Sequence, residues 1–131
     1  MGNITNAGLS WLRDYLDGNN TASNGKYMYM AWGTDSTPNP TPNTLTQLNA
    51  EVGRKAITSF SPGAAGILDT ILYMAALDAA GVNIGEVGFF VGPNATASPN
   101  TGVMVSRILY SHSKTNIESI QFDLKDVFTG S

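Results

Sequence analysis

Cysteine is absent from this chain, and histidine occurs once, at His112. The first absence excludes a disulfide frame, a thiolate nucleophile and a Cys-based zinc site. The second leaves any transition-metal centre short of ligands. Charge is scarce too: 13% of the 131 residues are charged, against a usual share of about 25%. Seven Lys and Arg face ten Asp and Glu, for a net charge of -3. No basic stripe is present to release counterions from phosphates, so nucleic acid is not an expected partner. No apolar run approaches the roughly 20 residues of a membrane helix. The first residues, MGNITNAG, lack the basic and apolar regions of a secretion signal. Neither a membrane nor a cofactor is expected.

What is present is a 42% hydrophobic chain whose polar residues are mostly Asn, Thr, Ser and Gly. A nearly neutral surface repels its neighbours weakly, which suits an assembly subunit. The length fits one domain over 1–131, with an N-terminal helix at 5–17 and a β domain at 27–128. Thr5 or Asn6 can cap that helix, and Leu9, Leu12 and Leu16 with Trp11 and Tyr15 supply an apolar face at helical spacing. Asp17 to Asn20 ends it. Tyr27 to Trp32 reads as a buried strand. In the loop from Thr34 to Asn43, Pro38, Pro40 and Pro42 forbid helix and stiffen the path.

Thr44 is a plausible cap for a second short helix through Leu45, Leu48 and Glu51, and Arg54 to Phe60 then reads as a strand. Ile67 to Ala80 fits helical and strand spacing equally well. Ile84 to Val91 and Val103 to Tyr110 read as strands around a second polar loop, Asn94 to Gly102. From Ile117 to Leu124, Ile120, Phe122 and Leu124 alternate with Ser119, Gln121 and Asp123, the clearest strand of all. The expected fold is mainly β, a sandwich-like domain with one or two short N-terminal helices.

Chemistry is hard to find. His112, in SHSK between strands, lacks the nucleophile and orienting acid of a triad and reads as part of a solvated turn. Asp14 and Asp17 lie one helical turn apart, without the acidic loop of a Ca²⁺ site. GNNTASNGK has the wrong glycine spacing for a phosphate loop, and Tyr27 stands where Ser or Thr would hold Mg²⁺. Three charges stand out in apolar surroundings: Glu51 and Arg54 in AEVGRKA, and Glu86 in NIGEVGFF. Buried charges need partners, so Glu51 or Glu86 is expected to pair with Arg54, in a bidentate geometry if the fork is used. Gly85 and Gly88 point to a bulge or a close backbone approach.

The order of these motifs resembles the N-terminal domain of tailed-bacteriophage fibre proteins of the tail-collar or fibre-adaptor type. The residues that carry the likeness are TNAG in the first helix, the aromatic run to Gly33, the Pro/Thr loop, Glu51 and Arg54, and Glu86-Val87-Gly88-Phe89-Phe90. Phe89 departs from the usual Leu. The resemblance implies a non-enzymatic virion protein, made in the host cytoplasm, that self-associates as a homo-oligomer, commonly a trimer, and contacts other virion proteins. It also favours strand for most of 67–80. Fibre proteins continue into a shaft that this sequence lacks, so the expected role is either fibre attachment at tail, neck or baseplate, or capsid decoration. The loop with Thr34, Pro38, Pro40 and Pro42 is then the expected contact element, its prolines limiting the entropy lost on docking. A second class, a soluble carbohydrate- or ligand-binding β module, would use Trp11, Trp32, Tyr27 and Tyr29 for stacking.

Overall fold

A computed structural model describes residues 4–10, 28–57, 59–62, 67–92 and 94–127. Seven strands follow in order: β1 Tyr29–Gly33, β2 Glu51–Ala56, β3 Ser59–Pro62, β4 Ile67–Met74, β5 Asn83–Val91, β6 Val103–Ser113 and β7 Ile120–Val127. They form two antiparallel sheets, one ordered β2-β1-β5-β6 and the other β3-β4-β7. The mainly-β, sandwich-like expectation therefore holds.

The two sheets share an apolar interior. Met30, Trp32, Val87, Phe89, Val91 and Val105 from the first sheet meet Leu72, Met74, Phe122 and Leu124 from the second. Alternation does this directly in β7, where Phe122 and Leu124 are buried while Gln121 and Asp123 are exposed. In β5 every residue after Asn83 is buried. Its other face carries Phe90, which packs with Ala31, Leu48 and Met104 in a second, smaller cluster. The loop bearing Leu48 thus lies over the outer face of the four-stranded sheet, and that cover is why β5 is buried on both faces.

The first helix is described only over 6–10; the expected remainder to 17, with Trp11, Leu12, Tyr15 and Leu16, lies outside the described residues. Thr5 caps it: Oγ1 accepts the Gly8 N–H at 2.9 Å and donates to the Met104 carbonyl. Just before it, Ile4 bridges to Ser106 on β6, so this end is tied to the sheet edge.

Three expectations are corrected and one open reading is resolved. No helix forms from Leu45 to Glu51. Leu48 is instead buried against Phe90, and the Asn49 and Ala50 N–H groups go to the Glu86 carboxylate rather than to helix carbonyls. The single strand at Arg54 to Phe60 is two, β2 and β3, in different sheets. The ambiguous segment is strand as far as Met74, followed by a turn through Gly81. Finally, His112 is not in a turn between strands; it lies within β6, opposite Ile84.

Candidate functional site

The loop from Thr34 to Ala50 leaves and re-enters the sheet at one point. The Thr34 N–H donates to the Ala50 carbonyl at 3.2 Å, and a Cβ on Gly33 would stand 2.5 Å from both that oxygen and a Glu86 carboxylate oxygen. Only glycine fits there. Gly85 meets the loop as well, since a Cβ on it would lie 2.9 Å from the Thr34 and Asp35 carbonyl oxygens. It also sits where the β5–β6 register shifts between Ile84 and Glu86. The close approach read from sequence is thus to the loop itself.

Side chains fold the loop locally. Asp35 accepts the Thr37 N–H at 3.0 Å and the Thr37 hydroxyl at 3.1 Å, and Asn43 accepts the Leu45 N–H at 3.1 Å, as Asx turns do. Thr34, Pro38, Pro40 and Pro42 are exposed. Having no N–H, the prolines need no partner there.

Arg107 fastens the loop to the sheet. Its side chain is fully buried, and so is that of Glu86. Nε donates to Glu86 Oε1 at 2.7 Å. Nη1 donates to the Thr37 carbonyl at 2.8 Å and to Asn39 Oδ1 at 2.7 Å, and Nη2 reaches Asp35 at 3.1 Å. The Asn39 amide donates back to the Arg107 carbonyl at 2.7 Å. Glu86 is further satisfied by the Asn49 and Ala50 N–H groups at 3.0 and 2.7 Å. Every branch of the guanidinium is engaged, as burial of a charge demands. The Asp35 carboxyl is held below its ordinary value, first by the Asn49 amide and then by the Thr37 N–H, with the Arg107 charge adding to both.

The second polar loop has its own clasp. Arg54 and Glu51 form a bidentate pair, Nε to Oε2 at 2.7 Å and Nη2 to Oε1 at 2.8 Å, with each side chain 1% exposed. The remaining branch, Nη1, donates to the Thr101 and Thr96 carbonyls at 2.8 and 3.2 Å, and Glu51 accepts the Asn100 N–H at 3.2 Å. The Arg54 guanidinium also lies over the Phe90 ring at 4.3 Å, a cation–π contact. Both loops therefore close on the same Phe90 cluster.

Of the three charges singled out by sequence, Glu51 and Arg54 meet each other. Glu86 does not pair with Arg54; its partner is Arg107, which sequence reading missed. The signal was available, since Arg107 is the one charge in the mostly apolar run VMVSRILY. Buried Lys114 was missed too. Its ammonium donates to the Ala76 and Thr115 carbonyls at 2.9 Å and to that of Ala75 at 3.3 Å, joining the two connections that cross at one end of the sandwich. No sequence pattern marks main-chain acceptors.

His112 Nε2 lies 3.0 Å from Glu118 Oε1. The Glu118 carboxyl is held low, first by the Thr115 N–H and then by His112. Trp32 is buried between the sheets, which removes it as a stacking platform; Trp11 and Tyr27 lie outside the described residues. Among the described residues no group of three or more His, Cys, Asp and Glu could hold a metal, and no helix is long and apolar enough to cross a membrane. No family model matches the chain, and no curated protein matches it.

Proposed function

We propose that this chain is a non-enzymatic structural protein of a tailed-phage particle, an adaptor-like domain that self-associates and seats against other virion proteins. The observation that supports this reading best is the pair of clasps. Two buried carboxylate–guanidinium pairs each hold one polar loop against the same sheet face, so the contact surface is organised before any partner arrives. Preorganisation lowers the entropy cost of docking. The most deeply buried charges are engaged in holding loops rather than poised for proton transfer. The motif order shared with fibre-adaptor domains points the same way.

The test is the copy number of the chain in purified particles, by quantitative mass spectrometry against the major coat protein. Hundreds of copies make it a capsid decoration protein. A few to a few dozen make it a part of tail, neck or baseplate. None at all removes the virion role and leaves the ligand-binding β module.

A further inference from the structure

Two physical links join the clasp on the first loop to the clasp on the second. The first runs along the chain. Glu86 accepts the Asn49 and Ala50 N–H groups at 3.0 and 2.7 Å, and the residue that follows is Glu51. Its carboxylate holds Arg54 through two bonds, at 2.7 and 2.8 Å, and accepts the Asn100 N–H of the second loop at 3.2 Å. The position of Glu51 is thus set by main chain that the Glu86–Arg107 pair has pinned. The second link is packing. Leu48, from the first loop, is buried with Phe90, and the Arg54 guanidinium lies 4.3 Å from the centroid of that same ring. A Cβ on Gly88 would meet the Leu48, Phe90 and Met104 side chains at 2.8, 3.2 and 3.3 Å, so these side chains close down onto the strand itself.

We infer that the two loops are one cooperative unit: 34–50 and 94–102 open and close together, so that an event at either loop is felt at the other. Groups that share a hydrogen-bond network or a packing site couple, where separate ones simply add. When 34–50 lifts, Glu86 loses two N–H donors, Leu48 leaves Phe90, and the Glu51 carboxylate loses its fixed base. Arg54 then has a displaced partner and water at its ring, which favours release of the second loop. Lifting 94–102 acts in reverse. Arg54 Nη1 loses the Thr96 and Thr101 carbonyls, Glu51 loses the Asn100 N–H, and Phe90 is wetted from the other side. A half-open state leaves buried charge without its full set of partners, which is costly. Opening of both loops as one sub-global step avoids that state. None of the bonds just named involves β3, β4 or β7.

Native-state hydrogen exchange on the purified chain tests this coupling, and its outcome does not depend on the virion role. Asn39→Ala removes the two bonds between Asn39 and Arg107, each 2.7 Å long, and so weakens the first clasp. Thr101→Ala removes the hydroxyl that bonds Thr96, Ser98 and Arg54, and so weakens the second. The reporters are the Ala50 N–H, bonded to Glu86, and the Asn100 N–H, bonded to Glu51. The amides of the β4–β7 ladder are the control.

Each single variant is expected to speed both reporters by the same factor, about five-fold or more. The double variant is expected to speed both by the product of the two single factors, while the ladder amides keep their rates. A reporter that answers only to the variant in its own loop, in single and double variants alike, overturns the inference. So does an equal rise at the β4–β7 ladder, which would make the whole domain the unit of opening. Variants that leave both reporters at the wild-type rate overturn it as well, since the bonds removed would then not hold the loops.

Discussion

Glu86 and Arg107 meet at 2.7 Å across neighbouring strands with neither side chain exposed. Each then turns to the loop, Arg107 to its first half and Glu86 to its second. The pair is thus a clasp between sheet and cover. Arg107→Ala should cost about 3–5 kcal/mol, the usual cost of leaving one buried charge alone, as measured by urea unfolding. Replacing both with Met should recover little, because the Thr37 carbonyl and the Asn49 and Ala50 N–H groups lose their partners too. Full recovery in the double variant would show that the clasp is only an ion pair.

Arg54→Ala should cost about 3 kcal/mol or more for the same reason. It should also free residues 94–102, seen as faster hydrogen exchange at Asn100, whose N–H donates to Glu51. An unchanged melt would show that the buried pair with Glu51 adds nothing net to stability.

Gly33→Ala should destabilise by about 1–3 kcal/mol, the range for overpacking. Its Cβ would meet a backbone oxygen at 2.5 Å, and backbone cannot swing aside. Ala at Gly88 should be milder, since its nearest neighbour, at 2.8 Å, is the Leu48 side chain. Equal melts for the two variants would contradict this closure at the loop mouth.

Stability should depend on acid through Asp78. A hydrogen bond from Lys55 chiefly, then the Ala75 N–H, holds its carboxyl below the ordinary 3.8 despite opposing desolvation. A group depressed on folding stabilises above its unfolded value and loses that contribution as pH falls through the folded one. The urea midpoint should therefore be steady above pH 3.8 as far as Asp78 is concerned, and fall below it. Asp78→Asn should flatten part of that fall; an unaltered slope would show that the Lys55 contact carries no linkage.

Lys114→Met should cost about 1.5–3 kcal/mol, the scale of hydrogen bonds to a charged group. It should loosen the turn after Met74, read as exchange at the Gly81 N–H, which bonds to the Lys114 carbonyl. Leu77→Ser, on the same turn but exposed, should stay within about 0.5 kcal/mol of wild type. If both variants behave alike, the ammonium is not what joins these connections.

The legible parts of this fold were those written in neighbouring residues. Alternation in β7 marked one wet and one dry face, and the dry face is indeed Phe122 and Leu124. Glu51 and Arg54 could be matched because they sit three positions apart. Arg107 could not, because its acidic partners are 21 and 72 positions away and no local pattern names them. Leu45 and Leu48 carried helical spacing, but the Glu86 carboxylate takes the amides that a helix would have used. The cover over β5 was hidden in plain composition: a strand apolar at nearly every position, broken by Glu86, tells that both faces are buried, not what buries the second.

The strand order has a consequence for biosynthesis. β1 lies between β2 and β5, so its second ladder waits for some fifty residues of chain to emerge after it. The clasp on the first loop waits longer, for Arg107, and the second sheet waits for β7. The first loop's clasp is therefore completed only when Arg107 emerges, whereas the second loop meets Glu51 and Arg54, already made, as it emerges. Non-local pairing of this kind folds slowly and leaves partly made chains exposed. A nascent domain with this order completes the closure of its loop-covered sheet face only late in translation, once Arg107 has been made.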